Sequence, residues 1–129
     1  MRYMFLVYSR EAADTDPAAL RAIGERHAEV MREAKERGVF CGADPLLPTQ
    51  TATTVRSLDG KPITIDGPFA ETKEQLAGYY ILDCSTREDA IEWAKKIPTA
   101  CKGNEGCIEV RPIFEYAPAS SASGPDERH

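Results

Sequence analysis

His27 is the only histidine before the last position of this 129-residue sequence, and imidazole is the side chain whose unperturbed pKa lies nearest neutrality. It follows Leu20 and Ile23 and precedes Val30, Met31 and Ala34. That spacing is close to the helical period, so His27 projects near the middle of an apolar stripe. An inward histidine within reach of a carboxylate or hydroxyl can act as general acid or base. Burial lowers its pKa, and a neighbouring carboxylate raises it again into the working range. The same position also suits a neutral core histidine bonded to a backbone carbonyl. Asp66, which heads Asp66-Gly67-Pro68-Phe69, is the carboxylate expected to work with His27. It has a structural reading as well, because Asp-Gly-Pro is turn chemistry in which aspartate caps and proline fixes a dihedral.

Arg56, Lys73 and Arg111 are the cations expected to face a ligand. Arg56 and Arg111 fall on predicted strands, where an inward guanidinium needs a counter-anion and can clamp a carboxylate or phenolate through paired hydrogen bonds. The competing partners are the chain's own acids, Asp66, Glu71 and Glu109. Tyr79 and Tyr80 alternate across their strand, so one faces the helices and the other the opposite surface. Tyr80 is assigned to the ligand site, where a hydroxyl beside His27 would suit an aromatic ligand. Lyase or isomerase chemistry on a small hydroxylated or aromatic acid follows from this set. It needs proton transfer and no cofactor.

Other chemistries lack their residues. Cys41, Cys84, Cys101 and Cys107 are irregularly spaced with no CxxC pair, so neither a zinc site nor a disulfide framework is expected. Gly103-Asn104-Glu105-Gly106 lacks the Lys-Ser/Thr ending of a phosphate loop, and no Gly-x-Ser-x-Gly elbow occurs. With 21 acidic against 16 basic residues, bulk charge argues against nucleic acid. No stretch approaches the roughly 18 apolar residues of a membrane span. The opening Met1-Arg2-Tyr3-Met4-Phe5-Leu6-Val7-Tyr8 reads as a first strand rather than an export signal. The expectation is a soluble cytoplasmic domain.

The elements that must position these residues follow from local signals. The first strand, Tyr3 to Tyr8, has two apolar faces and is expected to be buried on both sides. Asp16-Pro17 caps and opens a helix that runs to Arg37 and ends at Gly38. Val39 to Gln50, with Gly42, Pro45 and Pro48, reads as a long connection. Thr51 to Leu58 and Pro62 to Asp66 form a hairpin through Asp59-Gly60. Leu76 to Asp83 is a strand. Ser85 and Glu88 resemble a capping box for a second helix ending at Ile97, and Cys107 to Phe114 is the last strand. One domain over residues 1–117 and a disordered tail over 118–129 are expected. The order β-α-β-β-β-α-β is a ferredoxin-like split βαβ of α+β class with one extra hairpin strand. Two helices on one face leave the other bare, and the apolar first strand makes a second copy the natural cover, giving a homodimer.

The run Asp66 to Tyr80 resembles the signature of the YCII-related family, in the branch named after its Asp-Gly-Pro-Phe motif. The resemblance extends through Thr51-Ala52-Thr53-Thr54-Val55-Arg56, the opening Met1-Arg2-Tyr3-Met4 and the closing Glu109-Val110-Arg111-Pro112. It implies a ferredoxin-like fold paired into a dimeric α/β barrel. It also implies, in some branches, a histidine–aspartate acid/base pair, and in one a dehydrochlorinase acting on a chlorinated hydroxyquinol. Members of this branch often sit beside extracytoplasmic-function sigma factors, which makes such a factor a candidate partner. His27, eleven residues before Gly38, matches the family histidine, about three turns before its closing glycine. The family's aspartate follows that glycine, where this chain has Val39 and Phe40.

Overall fold

The computed structural model describes residues 1–10, 16–99 and 106–116. Their elements are β1 (Arg2–Ser9), α1 (Pro17–Glu36), β2 (Phe40–Pro45), β3 (Thr53–Leu58), β4 (Lys61–Asp66), β5 (Gln75–Asp83), α2 (Arg87–Lys96) and β6 (Gly106–Pro112). A short 3-10 turn, Thr49–Thr51, leads into β3. Four strands form an antiparallel sheet in the order β2-β5-β1-β6, while β3 and β4 pair only with each other. The architecture is α+β and ferredoxin-like.

This order corrects the sequence reading in one respect. The segment expected to be a long connection contains β2, the edge strand that pairs with β5. The hairpin is therefore no extra strand of the main sheet but a separate two-stranded arm. Local signals hid β2 because Gly42 and Pro45 are strand breakers. Both are tolerated here: the register slips between Phe40 and Gly42, and Pro45 ends an edge strand where no donor is missed.

Helix α1 starts as its cap dictates, with the Asp16 carboxylate accepting from Ala18 N–H at 3.2 Å and Pro17 in the first turn. It ends at Gly38, whose φ of 72° is left-handed. The cap of α2 is Thr86, one residue beyond the expected Ser85, and its Oγ1 accepts from Asp89 N–H at 3.0 Å. The hairpin turn has positive φ at both Asp59 and Gly60, as a two-residue turn matching strand twist requires.

The core lies between the helices and one sheet face. Tyr3, Phe5 and Val7 of β1 meet Tyr80 and Leu82 of β5, Val30 and Ala34 of α1, Ala90 and Trp93 of α2, and Ile97 just after it. Trp93 is the largest fully buried side chain. Arg37 and Lys96 lie over its ring, 4.8 and 4.6 Å from the centroid, and both also contact the Glu33 carboxylate, at 3.2 and 2.6 Å. That cluster stitches α1 to α2. Leu20, expected in the apolar stripe, is 47% exposed. On the opposite sheet face Met4, Leu6, Tyr79 and Ile81 are only half-buried. No helix of the described residues is long and apolar enough to cross a membrane. The expected tail and Cys101 lie outside the described residues.

Candidate functional site

Two elements bring His27 and Tyr80 together. Helix α1 turns His27 toward the sheet on the side that carries Ile23, Val30 and Met31. Strand β5 alternates so that Tyr80, in register with Phe5 of β1 and Ala43 of β2, points to the helices while Tyr79 points away. The Tyr80 ring is 3% exposed. Its Oη lies 2.6 Å from His27 Nδ1, and the rings stack with centroids 5.8 Å apart. The same hydroxyl is 3.5 Å from the backbone oxygen of His27.

Burial and the neighbouring Arg26 guanidinium both hold the His27 pKa below its ordinary value. Burial pushes the Tyr80 phenol up to about 12. At neutral pH the pair is an uncharged imidazole beside an uncharged phenol. One hydrogen lies between Nδ1 and Oη, and the hydroxyl has a second acceptor. When Tyr80 donates to Nδ1, Nε2 carries the ring proton. When Nδ1 donates to Oη, the phenol hydrogen can turn to the His27 carbonyl, leaving Nε2 free to accept a proton. Arg26 is a charged neighbour of the ring that the sequence reading did not weigh. Its signal was its place next to His27 in the chain.

The other expected site residues lie elsewhere. Asp66 is exposed at the end of β4, in register with Thr53, and its family-like pairing with His27 is not among the hydrogen bonds of the described residues. The Arg56 guanidinium donates to the Phe69 carbonyl at 3.1 Å. Lys73 is exposed in the segment before β5. Arg111 stands opposite Met4 on β6, on the sheet face away from the helices. Tyr79 donates to the Asp44 carboxylate at 2.6 Å. Among the described residues no group of three or more His, Cys, Asp or Glu could hold a metal ion, and Cys41, Cys84 and Cys107 are free thiols.

The YCII-related domain model matches residues 1–117. The chain belongs to the YCII-related family. An uncharacterized protein of Rhizobium meliloti (strain 1021) is 35% identical over 129 residues, covering 95% of this chain and all of the relative. In this YCII-related chain a tyrosine hydroxyl on β5 touches the helix histidine, where Val39 and Phe40 follow the closing glycine.

The Asp66–Phe69 turn of the YCII-related domain shapes a second feature. With the segment after β2 and the start of β5 it encloses a cleft of about 530 Å3, whose lining includes Leu46, Leu47, Pro68, Phe69, Glu74 and Leu76.

Proposed function

We propose that this YCII-related protein, of the Asp-Gly-Pro-Phe branch, binds a small hydroxylated or aromatic acid beside His27. There it moves a proton in a cofactor-free lyase or isomerase reaction. The observation that carries the reading is the 2.6 Å approach of His27 Nδ1 to Tyr80 Oη on a half-buried helical face. The tyrosine holds the imidazole in place, as a carboxylate does in other branches, and as both donor and acceptor it serves either tautomer of the ring. A phenol does this without the charge that raises basicity, in keeping with the lowered pKa of His27. The neutral ring is the form a base must have near pH 7. Arg26, whose charge is felt at the ring, is the cation we assign to the acid's carboxylate. The working unit is a cytoplasmic homodimer of residues 1–117, its open sheet faces packed together.

The alternative is a non-catalytic dimeric module that binds a ligand or protein in a sigma-factor-linked response. The exposed apolar side chains Val55, Leu58 and Ile65 on the β3–β4 arm favour it, while the sigma-factor link rests on family resemblance alone.

A thermal-shift screen of small hydroxylated and aromatic carboxylates separates the two, since a ligand of the native state raises apparent stability. The proton-transfer reading expects acids that stabilise the wild type, shift its His27 ring resonances, and lose their effect in His27→Ala while that variant stays folded. Hits that stabilise His27→Ala equally, with the ring resonances unmoved, overturn it in favour of the binding module.

A further inference from the structure

The cleft at the Asp66–Phe69 turn is separate from His27 and is built with some care. Gly67 adopts a φ of 101°, open to glycine but strained for other residues. Its N–H donates to Ala52 O at 2.7 Å, its carbonyl accepts from Thr54 Oγ1 at 2.7 Å, and Arg56 holds the Phe69 carbonyl. These bonds staple the turn to β3 as a fixed wall. Across the cleft, Leu46 N–H donates to Ala77 O at 2.8 Å, and Thr51 Oγ1 donates to Pro48 O at 2.7 Å. Thr72 Oγ1 donates to the Glu74 carbonyl, and Gln75 Nε2 to the Thr72 carbonyl. The Thr51, Thr54 and Thr72 hydroxyls are thus committed to backbone, and the surface left to a ligand is mainly apolar. Phe69 and Leu47 remain 75% and 77% exposed.

The volume of about 530 Å3 falls within the roughly 300–1,000 Å3 usual for small-molecule sites. Its charge is one-sided. Among the described residues, Glu74 and the Tyr8 phenol are the only ionisable side chains in the lining, with no lysine, arginine or histidine. The Glu74 carboxylate has no hydrogen bond or ion pair among the described residues. Beyond Tyr8 lies Glu109, whose carboxylate accepts from the phenol at 3.4 Å. Burial, then Glu74 and Glu109, push the nearby Cys107 thiol up. Among the described lining residues an anion would meet the Glu74 carboxylate, whereas a cation would find a partner in it.

We infer that this cleft binds a hydrophobic ammonium ion, its apolar tail lying among Leu46, Leu47, Phe69 and Leu76 and its charged head on Glu74. The site is distinct from the one at His27 and does not depend on it.

Titration of the full chain with 2-phenylethylammonium, 2-phenylethanol and 3-phenylpropionate, followed through backbone amide resonances, tests the assignment. The ammonium ion should shift Gly67, Phe69 and Leu76 and bind about tenfold more tightly than the alcohol, the scale of one charged hydrogen bond, with the carboxylate weakest. Glu74→Gln should erase that advantage and leave the alcohol unchanged. Phe69→Ala, an exposed position, should weaken all binders without unfolding the chain. Equal binding of the three probes, a preference that survives Glu74→Gln, or shifts confined to His27 and its neighbours would each overturn it.

Discussion

His27 Nδ1 and Tyr80 Oη lie 2.6 Å apart across the seam between α1 and β5, the one place where the helix-borne imidazole meets a hydroxyl from the sheet. Tyr80 reaches the ring only because β5 alternates in register with Phe5 and Ala43. Its hydroxyl, with the His27 carbonyl 3.5 Å away, accommodates either tautomer of the ring.

Tyr80→Phe keeps the aromatic packing and removes only that hydroxyl. The half-buried Nδ1 then loses its partner, and the expected cost is about 1–2 kcal/mol of stability. Urea unfolding measures the loss, and the ring 15N shifts report the altered tautomer balance. An unchanged ring spectrum would show that the bond does not form in solution.

Stability should fall on acidification through a window set by His27. Its folded pKa lies below the ordinary histidine value, first because burial removes water from the charged ring and then because Arg26 repels it. In the unfolded chain the ring titrates near its ordinary value, about 6.5. Between those two values the unfolded state holds more protons, so stability rises with pH. The His27 contribution is intact above the unfolded pKa and is lost as pH falls toward the folded one. Urea midpoints from about pH 7.5 to pH 5 should therefore slope more steeply for the wild type than for His27→Gln. Parallel slopes would mean that the ring titrates normally.

Much of this frame was readable from local chemistry. Asp16-Pro17, Gly38 and Asp59-Gly60 each enforce a local conformation, and the helix starts, stops and hairpin turn fall where those residues put them. The inward set of His27 followed from the apolar positions around it. Strand β2 was not readable, because its pairing with β5 is a tertiary contact that overrides Gly42 and Pro45. The partner of His27 could not be chosen from sequence either. Asp66 and Tyr80 are 39 and 53 residues away along the chain, and only the sheet register brings Tyr80 under the helix.

Gly78→Ala tests the closeness of that edge strand. A Cβ at Gly78 would stand 2.8 Å from the Asp44 carbonyl oxygen and 3.2 Å from Pro45 Cα. Both are backbone atoms, so no side-chain rotation relieves the contact and β2 must move away from β5. The expected loss is about 1–3 kcal/mol, the usual range for overpacking. Hydrogen exchange should also quicken at Leu46, whose N–H donates to the Ala77 carbonyl. Unchanged stability and exchange would show that β2 sits farther out than this register places it.

The open face of the sheet supplies the test of assembly. Met4 and Leu6 of β1 and Tyr79 and Ile81 of β5 are adjacent in register and half-buried within one chain. These strands are the two central ones of the sheet. A second copy packed face to face by a two-fold axis would place the middle of this patch against itself. Leu6→Glu would then bring a carboxylate close to its own symmetry mate, beside Glu109, which is in register with Leu6. The helix-covered core, built on Phe5, Val7, Tyr80 and Trp93, is untouched by that change, so the variant should fold as a monomer with unaltered circular dichroism. Sedimentation at micromolar concentration should find the wild type at twice the chain mass and Leu6→Glu at the chain mass. A wild type that sediments as a single chain would leave the open face without its proposed cover and would remove the dimer from the functional reading.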